Sequence, residues 1–215
     1  MLSNASDTGC AWLLKGSRRV EYDTRTFPFA RVLEHTVFKV RPLDQLHRGR
    51  RDAKYTDNLA LRRLMQELPD SSPFMKLYHY FVRSVVAPRF GGRVSYSNHP
   101  KMRVHLAGTP GVSSWHRDVD VTRRSDQINA FLPFTRCFEG CALWCESEYG
   151  KADYAPLPME YGSLYLFDGG YLSHGTMLND TGVTRVSLDF RFAIADGFAS
   201  PLWDEILQAR GAAAC

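Results

Sequence analysis

The sequence predicts a mostly β protein with a layer of helices on its N-terminal side, and three observations carry that prediction. From about residue 93 the chain breaks into short apolar runs separated by turns. Ahead of that region, between residues 57 and 85, apolar residues recur with the period of amphipathic helices. Aromatic residues are abundant (13 Phe, 10 Tyr and 4 Trp in 215 residues), and they come with 16 Gly and 11 Pro, a mix that favours strands and turns.

Taken in order, residues 1–56 carry a mixed pattern in which Val32 to Val40 reads as a strand that Pro42 keeps from running further. After Thr56-Asp57, the spacing of Leu61, Leu64, Met65 and Leu68 predicts a helix that stops before Pro69. A second helix starts with Ser72 as N-cap and Pro73 at its first position. Phe74, Leu77, Tyr78, Phe81, Val82 and Val85 make its apolar face, and Pro88 with Gly91-Gly92 ends it. The predicted strands are Met102–Ala107, Ile128–Phe134, Cys141–Glu146, Ser163–Asp168 and Thr184–Phe192. Their spacing suits an antiparallel sandwich or jelly roll rather than a parallel α/β sheet. The expected organisation is one domain over 1–215, with 1–95 mainly helical support and 96–195 the β-barrel core.

Composition narrows the function classes. The chain is 44% hydrophobic and 23% charged, enough to bury a core. The net charge of +4 comes from scattered basic residues with no nucleic-acid motif, so no nucleic-acid partner is expected. Arg18-Arg19, Arg50-Arg51, Arg62-Arg63 and Arg123-Arg124 read as solvated faces, although 21 Arg against 6 Lys also hints at anionic partners. No apolar run reaches membrane-span length, and Met1 to Asp7 lacks the basic start of a signal peptide. A cytoplasmic protein without membrane association is the expectation. The five cysteines (Cys10, Cys137, Cys141, Cys145 and Cys215) lack a CxxC pair and read as buried or free thiols rather than a metal or disulfide cluster.

The chemistry concentrates in three places. In extended chain, His116 and Asp118 of Trp115-His116-Arg117-Asp118 point to one side, and Asp120 shares their parity as a competing carboxylate. His174, between two apolar strands, supplies a second imidazole. Two histidines and one carboxylate form the facial triad of non-haem Fe(II) sites, which leaves coordination positions open for a bidentate co-substrate and O2. The stretch Thr184 to Phe192 then alternates: Val186, Leu188, Phe190 and Phe192 on one face, Arg185, Ser187, Asp189 and Arg191 on the other. If the polar face lines a barrel interior, Arg185 can grip a carboxylate bidentately and Ser187, two residues on, can add a hydrogen bond.

With those elements in place, the sequence resembles the Fe(II)/2-oxoglutarate-dependent oxygenases. It is most similar to small phytanoyl-CoA-dioxygenase-like members, among them oxygenases of streptomycin-type aminoglycoside biosynthesis. The resemblance covers about residues 100–195, through Arg103-Val104-His105-Leu106, His116-Arg117-Asp118, Leu143 to Glu148, Phe167-Asp168-Gly169, His174-Gly175, Asn179 to Gly182, Thr184 to Ser187 and Asp189-Phe190-Arg191. Residues 1–95 match less distinctly. The resemblance implies a double-stranded β-helix (a jelly roll), iron held by His116, Asp118 and His174, and Arg185 on the distal carboxylate of 2-oxoglutarate with Ser187 as helper. It further implies hydroxylation of a small polar molecule in specialised metabolism, with O2 consumed and 2-oxoglutarate converted to succinate. Halogenases of this kind lack the metal carboxylate that Asp118 would supply, so halogenation is not expected.

Around this centre, Asn129 is a candidate cofactor contact and equally a satisfied buried amide. Arg103 and His105 share a face on one strand, with His105 read as a wall residue. Trp144 and Glu146 can meet substrate or simply pack, and Arg191 is the alternative to Arg185. His35, His47, His79 and His99 have no ligand-like companions and read as structural or surface residues. Two rivals remain: another metal-dependent, cupin-like activity on the same barrel, which leaves Arg185 and Ser187 without a task, and a non-catalytic ligand-binding jelly roll.

Overall fold

The computed structural model describes residues 18–50, 52–124 and 126–194. The reading of the N-terminus, and Cys10 and Cys215, lie outside them. In chain order the elements are β1 (Arg18–Glu21), α1 (Phe29–Leu33), α2 (Tyr55–Gln66), α3 (Pro73–Phe81), β2 (Val94–Tyr96), β3 (Lys101–His105), α4 (Asp118–Thr122), β4 (Ile128–Pro133), β5 (Leu143–Cys145), β6 (Ala155–Leu157), β7 (Ser163–Phe167), β8 (His174–Gly175) and β9 (Arg185–Ile194).

These strands make two antiparallel sheets. The larger runs β1-β7-β4-β9-β2, with β3 also pairing with β9. The smaller runs β6-β5-β8. At ten residues β9 is long enough to take β2 and β3 in succession along one edge and β4 along the other. Every long predicted strand is present within a few residues of its expected ends.

The alternation in the sequence explains the layering. Val186, Leu188, Phe190 and Phe192 of β9 join Ile128, Ala130 and Leu132 of β4 and Leu164 and Leu166 of β7 in one core, together with the apolar faces of the helices. Phe131, Phe167, Leu143 and Cys145 join a second core between the two sheets. The larger sheet is thus covered by helices on one face and by the smaller sheet on the other. The charged face of β9 is not in water: Arg185 and Ser187 are fully buried.

Helix α2 starts at Tyr55, one residue before Thr56-Asp57, and Asp57 caps it by accepting from the Lys54 N–H at 2.8 Å. Ser72 caps α3 as expected, its hydroxyl accepting from Met75 N–H. The chain then continues through a wide turn at Val82–Val86 and a tight one at Ala87–Phe90. The strand expected over Val32–Val40 is not formed. Phe29–Leu33 is α-helical and Glu34–Phe38 follows as a wide helical turn. The β-branched residues Val32, Thr36 and Val37 favour a strand locally, but Phe29 and Leu33, four residues apart, share a helical face and are both completely buried. The short strands β1, β2, β6 and β8 went unpredicted because two to four residues show no period. Arg18-Arg19 is a solvated face as expected, but on the edge strand β1, paired with Leu166 and Tyr165.

Phe29 ties the helices to the sheet: its ring lies 5.3 Å from Phe134, 5.6 Å from Phe74 and 5.5 Å from Phe81. Phe29→Ala is therefore expected to cost about 3–5 kcal/mol, the range for emptying a buried aromatic site. In urea titrations helical and tertiary signals should fall in one shifted transition. Separate transitions for the helical layer and the sheets would contradict the single-domain organisation expected from the sequence.

Cys137, Cys141 and Cys145 are buried free thiols. The four-residue spacing places them on no common helix face, because Cys141 ends a short turn and Cys145 lies on β5. Burial pushes the Cys137 and Cys145 thiols up to about 12, so both stay protonated and unreactive. Among the described residues no helix is long and apolar enough to cross a membrane.

Candidate metal and co-substrate site

The site forms between the two sheets, where the His116–Asp118 stretch meets the distant His174. His116 and His174 face each other across an isolated antiparallel bridge, each backbone N–H donating to the other's carbonyl at 3.0 Å. Their rings lie 4.5 Å apart. Asp118 joins them, with one ligand atom from each of the three side chains within 4.8 Å of the others.

The backbone makes that convergence possible. Arg117 is extended, so His116 and Asp118 turn to the same side as the parity argument requires. Asp118 then opens α4, and here the extended reading of the segment fails. Two residues along a helix rotate a side chain by about 200°, so Asp120 swings away. It pairs instead with Arg117 at 3.4 Å and stands outside the cluster.

Hydrogen bonds set the ring orientation. His116 Nδ1 lies 2.7 Å from the Ser114 carbonyl, and His174 Nδ1 lies 2.9 Å from the Leu172 carbonyl. A carbonyl only accepts, so both rings carry the proton on Nδ1 and turn an unprotonated Nε2 to the centre. This is the arrangement of metal-ligating imidazoles, whose other nitrogen donates to a fixed acceptor. Burial lowers the His174 pKa, which keeps the ring neutral, whereas the Asp118 carboxylate 3.6 Å from Nε2 raises that of His116. For Asp118, burial pulls upward. The neighbouring His116, His174 and Arg191 side chains and the Asn129 amide outweigh it and hold the carboxyl well below its usual range.

Asn129 Nδ2 donates to Asp118 Oδ2 at 2.5 Å, while its buried Oδ1 has no partner among the described residues. Gly169 makes room for it: a Cβ there would sit 2.4 Å from the Asn129 amide nitrogen. The Gly169 carbonyl also accepts from the Asp118 N–H at 2.8 Å. The Phe167-Asp168-Gly169 stretch therefore shapes the Asp118 pocket, a role the sequence did not disclose.

Arg185 lines the same cavity. It is 1% exposed, and its Nη1 donates to the Cys141 carbonyl at 3.0 Å. Nε has no partner, and no carboxylate pairs with the guanidinium among the described residues. Burial lowers its pKa from the usual value. Ser187, on the same face of β9, is fully buried, and its Oγ has no partner among the described residues. His105 stands opposite Arg185 in the strand register and bonds the Thr109 carbonyl at 3.1 Å. Burial pulls it down to about 3, so it is the neutral wall residue expected.

Other candidates resolve differently. Arg103 forks onto Asp189 at 2.8 and 3.4 Å. Arg191 lies 3.5 Å from Asp118 Oδ1, nearer the metal cluster than its sequence distance from His174 suggested. Glu146 is buried as a structural tie, accepting from Ser173 and Ala152 N–H groups, and Trp144 donates to the Glu139 carbonyl. His47, His79 and His99 are engaged by Thr184, Tyr96 and Asp70, away from the centre. Lys101 and the apolar wall of Phe131, Leu143 and Phe167 also line the cavity. The alternation of Lys101, Arg103 and His105 on β3 was the available signal for the polar part of that wall.

Comparison with known proteins places this geometry in context. No family model matches the chain. The streptomycin biosynthesis protein StrG of Streptomyces griseus is 40% identical over 92 residues, which is 43% of this chain and 43% of that protein, so the match spans less than half of the relative. Among solved structures, a nickel complex of the non-haem monooxygenase ThoJ superposes with a TM-score of 0.60 at 12% identity, covering 90% of this chain and 79% of the other. CytC3 with Fe(II) and alpha-ketoglutarate gives 0.55 at 12% identity, covering 92% and 80%. The chain shares the fold of ThoJ and CytC3.

Proposed function

We propose that this chain is a non-haem Fe(II)- and 2-oxoglutarate-dependent oxygenase that hydroxylates a small polar molecule in natural-product biosynthesis. The two facing sheets are read as a double-stranded β-helix. The observation that carries the proposal is Arg185, a buried guanidinium without a counter-charge in the same cavity as the His116–Asp118–His174 cluster. Burying such a charge is costly unless a ligand completes the pair, and a dicarboxylate reaching from the metal is suited to do so. Partial identity to StrG supports the biosynthetic setting.

In this reading the two Nε2 atoms and the Asp118 carboxylate hold the metal, and the Ser114 and Leu172 carbonyls fix the rings. Asn129 steers the Asp118 carboxylate. Its free end is an acceptor, unsuited to a carboxylate ligand, so we place it with the metal ligands rather than with 2-oxoglutarate. Arg185 binds the distal carboxylate through the fork that Cys141 leaves open, and the Ser187 hydroxyl adds a donor. Phe131, Leu143 and Phe167 exclude water from the reacting centre. With iron bound, O2 would be the oxidant, two of its four electrons coming from the conversion of 2-oxoglutarate to succinate and CO2 and two from the substrate C–H bond. Asp118 keeps its ligand position filled and so disfavours a coordinated halide.

Under 18O2, with Fe(II), 2-oxoglutarate and chloride present, the protein is expected to form succinate carrying one labelled oxygen and to deliver the second label to the product. No metal-dependent succinate would overturn the assignment, and a chlorinated product would overturn hydroxylation.

A further inference from the structure

The charges around the cavity do not balance. Lys101, Arg103 and Arg185 line it, and Arg191 reaches to 3.5 Å from Asp118, against the two carboxylates of Asp118 and Asp189. A divalent metal and a dicarboxylate co-substrate would cancel each other, leaving an excess of two positive charges. Arg185 belongs to the co-substrate in the reading above, and Arg103 is committed to Asp189 by its two hydrogen bonds. The excess therefore resides on Lys101 and Arg191.

We propose that Lys101 and Arg191 form an oxyanion subsite at the rim of the metal cavity, so that the substrate carries a phosphate-monoester or carboxylate group. This rests on the oxygenase reading for the cavity's other occupants. Both residues project from the polar face of the larger sheet: Lys101 pairs in register with Asp189, two residues before Arg191 on β9. The Lys101 residue is exposed, and its side chain makes no ion pair or hydrogen bond among the described residues. Arg191 Nη1 is buried and has no hydrogen bond among the described residues, since its approach to Asp118 is within ion-pair reach only. Asp118 is moreover already engaged by Asn129 and lies 3.6 Å from His116.

Neighbouring charges make the rim more positive. Arg62 projects from α2 close enough to Arg103 for mutual repulsion, and Asp189 is the carboxylate felt by both Arg62 and Lys101. Burial, then repulsion by Arg191, lowers the Lys101 pKa; burial, then repulsion by Arg103, lowers that of Arg62. Clustered like charges at a cavity mouth attract and hold an anion.

The test uses the full chain loaded with Mn(II) and saturating 2-oxoglutarate, with methyl phosphate, propionate and the neutral propionamide as probes followed by NMR. Methyl phosphate or propionate should bind and relax faster beside Mn(II), the tighter of the two identifying the substrate group, and propionamide should not bind. Lys101→Gln, an exposed change that leaves the fold intact, and Arg191→Gln should each weaken the anion at least about tenfold. Absence of anion binding, unchanged affinity in both variants, or competition by 2-oxoglutarate would overturn the subsite. Repeating the titration without metal separates the two readings. Anion binding that survives in a protein unable to bind Mn(II) would sink the oxygenase reading and leave the subsite standing.

Discussion

Replacing His174 by alanine is expected to abolish metal binding, measured by calorimetry with Mn(II) or Fe(II) under argon. The residue is buried, its Nδ1 is anchored on Leu172, and it supplies one of the three ligand atoms that cluster among the described residues. A two-ligand remnant loses affinity and facial geometry together, so a loss of about a hundredfold or more is expected. His116→Ala should behave alike. The carboxylate comparison is the sharper one. Asp118→Ala should lose the metal, whereas Asp120→Ala should keep it, because the helix that starts at Asp118 turns Asp120 toward Arg117. Retention of metal in Asp118→Ala with loss in Asp120→Ala would overturn the triad.

The second large effect is expected at Arg185. With Mn(II) present, 2-oxoglutarate at about a hundred times its Kd should stabilise the wild-type protein by about 2.7 kcal/mol, visible as a raised Tm. Arg185→Ala should lose this response, because removing one partner of a desolvated charge pair costs about 2–5 kcal/mol, or thirtyfold and upward in affinity. Arg185→Lys should recover only part of it, since an ammonium cannot reproduce the two-pronged contact. Arg191 is the control: it stands beside Asp118 and not beside Cys141. If Arg191→Gln loses the 2-oxoglutarate response while Arg185→Ala retains it, the carboxylate clamp has been misplaced.

The two sets of residues were legible in the sequence to different degrees. Thr184 to Phe192 announced a strand with one apolar and one polar face, and β9 has both. Such alternation is a property of neighbouring residues and needs no knowledge of the rest of the chain. The helices α2 and α3, with the Ser72 cap, were readable for the same reason. Val32–Val40 misled because strand propensity is a weak local preference, and burying Phe29 and Leu33 in the aromatic cluster outweighs it.

By itself, then, the sequence determined the residue types, the alternation of β9 and the His116–Asp118 spacing. It left open which carboxylate meets His174, whether the polar face of β9 points to water or inward, and what Asn129 and Arg191 touch. Only the tertiary structure decided these. The His116–His174 bridge, the Arg191–Asp118 approach and the Arg103–Asp189 pair join residues far apart along the chain, and the packing of the sheets brings them together. Period along a chain reports which way a side chain points, but not what it finds there. That depends on closing long loops, and the partner across the sheet leaves no mark on local spacing.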